Sequence, residues 1–287
     1  MFSTEELNKL TELKENTIID PDLIEVLIQI GTAQQGYTPD DNAKISSVEL
    51  TENPFVAGTP LFKDNVLPVD LTHGEKVFME ILRLCSVDSS PLKWAALNIV
   101  ELIKSKTILV EDVLVKVASR EHNELREYAD TAKDATGFLF FCAYNALLPS
   151  TMFHIEKITE LNEIPKKWTH GHCPVCGGSP YISHLEGEGG ARHLTCVRCQ
   201  TTYESTRMAC AFCQSPGNDG MESFSIEELP AYKVTICDSC NGYIKTADFR
   251  EYTRNRIPRT DDLESIQLDM LAQEQKFVRM TRSGWGF

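Results

Sequence analysis

The segments CPVCGGSP (173–180), CVRCQTTYESTRMACAFC (196–213) and YKVTICDSCNGYIKTAD (232–248) hold eight of the ten cysteines of this 287-residue chain, all as C-x2-C pairs. A tetrahedral ion takes four thiolates at about 2.3 Å, and a C-x2-C turn lets two converge, so each pair is half a site. Nineteen residues separate Cys176 from Cys196 and 23 separate Cys213 from Cys237, room for a β-hairpin each time. Sequential pairing therefore predicts one ion on Cys173, Cys176, Cys196 and Cys199 and a second on Cys210, Cys213, Cys237 and Cys240.

Disulfides and redox dithiols are the rival uses of such cysteines. The N-terminus, MFSTEELNKL, is charged and amphipathic with no apolar run before a small-residue cleavage site, and an even cysteine count without an export signal favours metal. The thioredoxin pattern shares C-x2-C but stands beside a βαβ unit, which the sequence does not offer. The longest unbroken apolar run, Phe138 to Tyr144, is far shorter than the ~20 residues of a membrane helix. A soluble intracellular protein without membrane insertion is expected.

Net charge is −14 and unevenly placed: residues 1–164 carry 14 Lys+Arg against 27 Asp+Glu, and the remainder 14 against 15. An acidic chain of this kind is not expected to bind nucleic acid, which needs clustered cations. The acidic half reads either as solvated helix faces or as a surface for a basic partner.

Residues 1–165 read as an α-helical bundle. Asp20 caps a helix opening at Pro21 with Leu23, Val26, Leu27 and Ile30 on one face. Thr72 and Glu75 form a T-x-x-E capping box before Phe78, Ile81, Leu82 and Cys85, which places Cys85 in the core. Ser90 and Pro91 start a helix carrying Trp94, Leu97 and Glu101 to about Lys104. Periodic runs follow at 109–119, 121–131 and 134–148, the last with Cys142. Residues 35–70, punctuated by Gly and Pro, form an irregular loop that wraps the bundle or serves a partner.

From Pro165 the chain turns to Gly, Cys, Thr and Tyr, with alternating strands such as Tyr232 to Ile236. Hairpins with so little apolar content need metal for much of their folding energy. A basic stretch, Arg250, Arg254, Arg256 and Arg259, precedes a helix from Asp261 or Asp262 to about Gln275, with Leu263, Ile266 and Met270 on its buried side.

These cysteine segments, the tail DDLESIQLDMLAQEQKF and Trp168 before the first pair resemble the signature of the FdhE family, the formate dehydrogenase accessory proteins. Tyr203 stands where family members often carry Trp, and the chain ends SGWGF in place of an Asn-Pro-Phe-like ending. The resemblance implies a multi-domain fold of α plus small β. It comprises an α-helical domain (1–165), two tandem rubredoxin-like, zinc-ribbon-like four-cysteine modules (166–209 and 210–249), and a C-terminal tail and helix (250–287). It implies a cytoplasmic accessory protein, without catalysis of its own, that binds the formate dehydrogenase catalytic subunit and is needed for its maturation; a homodimer is left open. It implies iron at the eight cysteines, with zinc as the alternative, and places Arg207, Asp238, Tyr243 and Lys245 at motif positions as partner-binding candidates.

Spacing alone does not separate zinc from iron, since four sulfurs accommodate both. Iron admits a second reading, a redox protein acting on that partner, and a nucleic-acid-binding zinc ribbon is a third. A closed four-cysteine shell leaves no position for water or substrate. His170, His172, His184 and His193 lie near the cysteines, but with both shells complete they are expected at surface or hairpin positions. The Gly187-Glu188-Gly189-Gly190 run lacks a P-loop Lys and reads as a hairpin turn. Arg207, Tyr243 and Lys245 either brace the hairpins or form a docking surface.

Overall fold

The computed structural model describes residues 3–15, 18–39, 49–63, 66–119, 125, 128, 132, 135–217 and 220–285. Two compact units emerge: residues 1–49, 62–162 and 286–287 form one, residues 50–61 and 163–285 the other.

The first unit is helical. α1 (Thr4–Leu13) starts with a true capping box, Ser3 and Glu6 each satisfying the other's backbone N–H. α2 (Pro21–Ala33) starts as expected on Asp20, whose carboxylate accepts from the Asp22 N–H. α3 (Leu71–Cys85) begins one residue before Thr72: Asp70, not Thr72, is its cap and accepts the His73 N–H at 3.0 Å. An ionised acceptor at the positive helix end makes Asp70 the stronger cap. α4 (Lys93–Lys104) buries Ala96 and Ile99, whereas Trp94 and Leu97 are exposed. α5 (Val110–Ser119) follows. The run expected at 121–131 lies largely outside the described residues.

α6 (Thr136–Glu160) departs most from expectation, because it continues twelve residues past 148 and through Pro149. Proline has no N–H to give the Asn145 carbonyl one turn back, which normally breaks a helix. Here the Gln34 side-chain amide donates to that carbonyl at 2.5 Å, and the helix proceeds. By length and composition α6 could cross a membrane, yet 78% of its most apolar window is buried inside the protein, as suits a central core helix. Gly74 of α3 lets these helices approach closely: a Cβ there would lie 3.1 Å from Leu147 and 3.2 Å from Leu114. Cys85 and Cys142 are fully buried in this core. Burial pushes the Cys85 thiol up to about 12, and burial beside Cys85 holds Cys142 well above the usual thiol range, so both act as apolar filler.

The second unit is built on one sheet of seven strands: β1 (Pro180–Glu186), β2 (Ala191–Cys196), β3 (Thr202–Ser205), β4 (Met221–Phe224), β5 (Tyr232–Cys237), β6 (Gly242–Ala247) and β7 (Val278–Arg279). Their order is β3-β2-β1-β6-β5-β4, with β7 beside β6. Each half is an antiparallel three-strand meander, and the halves join through parallel pairing of Ile182, Ser183 and His184 with Lys245, Thr246 and Ala247. The two hairpin segments are thus one continuous sheet.

α7 (Pro258–Glu264) and α8 (Ile266–Glu274) replace the single tail helix expected, broken at Ser265. Leu263, Leu268 and Ala272 are buried, and Met270 is exposed, correcting its expected place on the inner side. α8 covers the sheet face that carries Tyr232, Val234, Ile236, Tyr243 and Ala247. Residues 50–61 of the expected irregular loop belong to this unit: the Leu61 N–H donates to the Pro174 carbonyl at 2.8 Å, and Phe55 meets Trp168 edge-on at 6.0 Å.

Candidate metal centres

Each cysteine pair sits in a turn of the same construction. The residue after the second cysteine has a left-handed backbone at all four turns: Gly177 (φ 67°), Gln200 (58°), Gln214 (60°) and Asn241 (56°). Glycine adopts this freely, whereas other residues need local compensation. The Gln200 amide donates to the carbonyls of Cys196 and Val197, that of Gln214 to Cys210, and that of Asn241 to Lys276. The N–H groups of Val175 and Phe212 point at the sulfurs of Cys173 and Cys210, both at 3.4 Å, which favours the thiolate.

Strand pairing then assembles the sites. In each half the first pair precedes the first strand and the second pair lies in the turn between the second and third. The parallel contact of β1 and β6 therefore puts both quartets at the same end of the sheet. Sulfur separations are 3.6 Å (Cys173–Cys199) and 3.5 Å (Cys176–Cys196) in the first quartet, and 3.7 Å (Cys210–Cys240) and 3.8 Å (Cys213–Cys237) in the second. A regular tetrahedron with metal–sulfur bonds of about 2.3 Å has edges of about 3.8 Å, and all ten cysteines are free of disulfides. The donor sets fit a tetrahedral cation.

Their protonation makes the same point. Burial drives the Cys173 and Cys199 thiols well above their usual value, while hydrogen bonds from the neighbouring sulfurs hold Cys176 well below it. Four buried thiolates cannot coexist without a cation to neutralise them. The sites differ in access: the first quartet is wholly buried, whereas Cys213 is exposed and Cys240 half-buried.

The other sequence candidates divide. Arg207 is exposed and donates to the Gly189 carbonyl at 2.8 Å, bracing the β1–β2 hairpin. Asp238 is exposed in the second turn of its site, its N–H donating to Gly220. Tyr243 and Lys245 are a correction: they are 2% and 1% exposed and present no surface to a partner. Lys245 Nζ contacts Asp269 Oδ2 at 2.5 Å and Asp262 Oδ1 at 3.0 Å, Arg279 contacts Asp262 at 2.5 Å and Asp269 at 2.9 Å, and the Tyr243 hydroxyl donates to Asp269 at 2.8 Å. This buried network of two cations and two carboxylates ties α7 and α8 to β6 and β7. Its only sequence signal was Asp262 and Asp269 seven residues apart.

The basic stretch is consumed inside the fold. Arg250 pairs with Asp248, Arg254 with Asp261 and Glu264 while lying over the Phe249 ring at 4.1 Å, and Arg256 with Glu186. Arg259 lies over Trp285 at 5.0 Å, and the indole N–H donates to the Arg259 carbonyl, which anchors Trp285.

None of the four histidines joins a cysteine quartet. His170 and His172 pack on Trp168. His184 lies in the β1–β2 hairpin, one of its two expected positions, and is buried there; it stacks on its cross-strand partner His193 at 5.2 Å, and Glu186 lies 3.5 Å from both. Burial, then Arg256 and His193, push His184 down to about 3 from 6.5. Below its unfolded pKa the unfolded chain takes up a proton that the folded chain refuses, so stability falls with pH. Between about pH 7.5 and about pH 5 the loss from this group is about 2 kcal/mol. Urea titrations at the two pH values should show it, and His184→Gln should flatten the difference.

Family models match residues 172–207 as the FdhE central domain and 208–284 as the FdhE C-terminal domain. Residues 172–284 thus carry the two FdhE domains in tandem. An FdhE homolog from Aquifex aeolicus is 34% identical over 125 residues, 42% of this chain and 44% of that protein. One from Haemophilus ducreyi is 36% identical over 37% of this chain and 35% of its own. These matched stretches span less than half of either relative. Protein FdhE of Shigella boydii is 25% identical over 94% of this chain and 83% of its own. The crystal structure of the FdhE protein from Pseudomonas aeruginosa superposes with a TM-score of 0.66 at 20% identity, covering 97% of this chain and 93% of that one, so the fold is shared. The fold of this chain, a helical unit and a unit with two four-cysteine clusters, matches that structure over nearly its whole length.

Proposed function

We propose that this FdhE-family chain is a cytoplasmic accessory protein for formate dehydrogenase that binds the catalytic subunit and supports its maturation without catalysing a reaction itself. The observation that carries this reading is the pair of complete four-sulfur sites in the segment matched by the FdhE domain models. Four cysteines close a tetrahedral shell, which suits a scaffold and not a hydrolytic centre. The eight cysteines would each hold one of two ions, iron by family resemblance and zinc as the alternative, and the segments 166–209 and 210–249 would act as the two metal modules. Arg207 and Asp238 remain candidates for the docking surface because both are exposed. The pairing of the tail arginines favours a protein partner over nucleic acid.

A redox role draws support from one feature: Cys213 reaches solvent, so an iron held by the second quartet would lie close to an electron partner. The test is co-purification of the metal-loaded chain with a tagged formate dehydrogenase catalytic subunit. A stoichiometric complex is expected, together with loss of formate dehydrogenase activity in cells lacking this chain. Normal activity in those cells and no complex would overturn the reading. A Cys213→Ser variant that still forms the complex but no longer restores activity would move the assignment to the redox reading.

A further inference from the structure

The sheet of the second unit has a face that α8 does not cover. Strand pairing places Leu185, Arg192, Met221, Ser223, Lys233, Thr235 and Thr246 on it. Together with Arg207, Met208 and Gly217 from the segment joining the two halves, they line a cavity of about 190 Å³. Three cations converge there, and no carboxylate is among the described residues that line it. Arg192 is only 5% exposed, its Nε is buried without a partner, and its one described side-chain bond is to the Ser205 hydroxyl at 3.3 Å. The acid that acts on Lys233 through space, Asp248, is already paired with Arg250. The Cys210 sulfur of the second quartet and the Tyr203 hydroxyl act favourably on Arg192 through space, and a buried guanidinium is kept only where such groups or a bound anion offset its desolvation.

We propose that this cavity is a binding site for a small phosphate monoester. Two guanidiniums and one ammonium match a doubly charged phosphate better than a single carboxylate, and the planar fork of arginine suits its oxygens. The hydroxyls of Ser223 and Thr235, 2.8 Å apart, and of Thr246 add further donors. Leu185, Met208 and Met221 form an apolar wall for the organic group. The volume is several times a water's share of the liquid, ~30 Å³, which is more room than bare phosphate needs. No cysteine lines this cavity, although Arg192 and Met221 also border the second quartet beside Cys210 and Cys237, and Arg207 is shared with the docking surface proposed above.

Titration calorimetry on the metal-loaded full chain, in low-salt buffer free of phosphate, tests it with phenyl phosphate, inorganic phosphate and phenol as probes. Phenyl phosphate is expected to bind with a submillimolar Kd and at least about tenfold more tightly than inorganic phosphate. Arg192→Gln should abolish binding. Arg207→Gln and Lys233→Met, on side chains that reach solvent and whose loss leaves the fold intact by circular dichroism, should each weaken it at least about fivefold. No saturable binding at about 10 mM, unchanged affinity in the Arg207→Gln/Lys233→Met double variant, or equal affinity for phenol would overturn the site. Tighter binding of a phosphoserine peptide than of phenyl phosphate would overturn the small-molecule assignment.

Discussion

Stripping metal from both four-cysteine sites with a chelator is expected to unfold the sheet-bearing unit. Structural metal supplies on the order of 10 kcal/mol or more per site in small modules, and a whole domain is stable by only about 5–15 kcal/mol. The apolar core under α8 is small, resting on Tyr232, Val234, Ile236, Leu268 and Ala272, and the opposite face mixes buried Leu185, Leu194 and Ile244 with polar and charged side chains. Hydrogen exchange should show the amides of β1 to β6 losing protection together, because the parallel contact between β1 and β6 makes both halves one structure. The second site should yield first, since Cys213 is exposed and the first quartet is wholly buried. Point variants should follow the same order. Cys176→Ser, which leaves three buried thiols with an incomplete shell, should cost more than about 4 kcal/mol, a size reserved for lost core or metal contacts. Cys213→Ser should cost clearly less. Equal losses, or a sheet that keeps its protected amides without metal, would show that the ions are not what holds this unit together.

Asp269→Ala is expected to have the second largest effect, about 3–5 kcal/mol in urea unfolding. Asp269 accepts from Lys245, Arg279 and Tyr243 at once, and all three side chains are more than nine-tenths buried. Its loss strands two cations beside Asp262 alone, which can neutralise one. Desolvation dictates the sign of the contrast: Lys245→Met in the same background should recover part of the loss, because removing the orphaned charge removes the penalty. A purely steric role for Asp269 would instead make the double variant worse than the single one.

The cysteine sites were legible because tetrahedral chemistry fixes ligand type and spacing within a few residues, and the turn geometry at Gly177, Gln200, Gln214 and Asn241 follows from it. What the sequence hid was set by partners distant along the chain. Tyr243 and Lys245 look like surface residues in a polar strand until Asp262 and Asp269 arrive from the tail. Pro149 reads as a helix stop because nothing local shows that Gln34 will satisfy the Asn145 carbonyl. His184 is legible as a hairpin residue but not as a buried one, because parallel pairing with β6, which encloses it, leaves no pattern in its own segment. The burial of Ile99 and exposure of Trp94 in α4 have the same origin: both side chains are apolar, and only packing decides which turns inward.

The parallel contact of β1 with β6 also bears on how the chain is made. A ribosome releases β1, β2 and β3 with the first quartet complete, yet the outer edge of β1 must wait until Lys245, Thr246 and Ala247 have been synthesised. During that interval a row of unpaired amides and carbonyls faces solvent or a neighbouring nascent chain, the exposure from which strand-swapped aggregates grow. Early capture of metal by the first quartet cannot shorten this vulnerable period, because its end is set by translation of the second half.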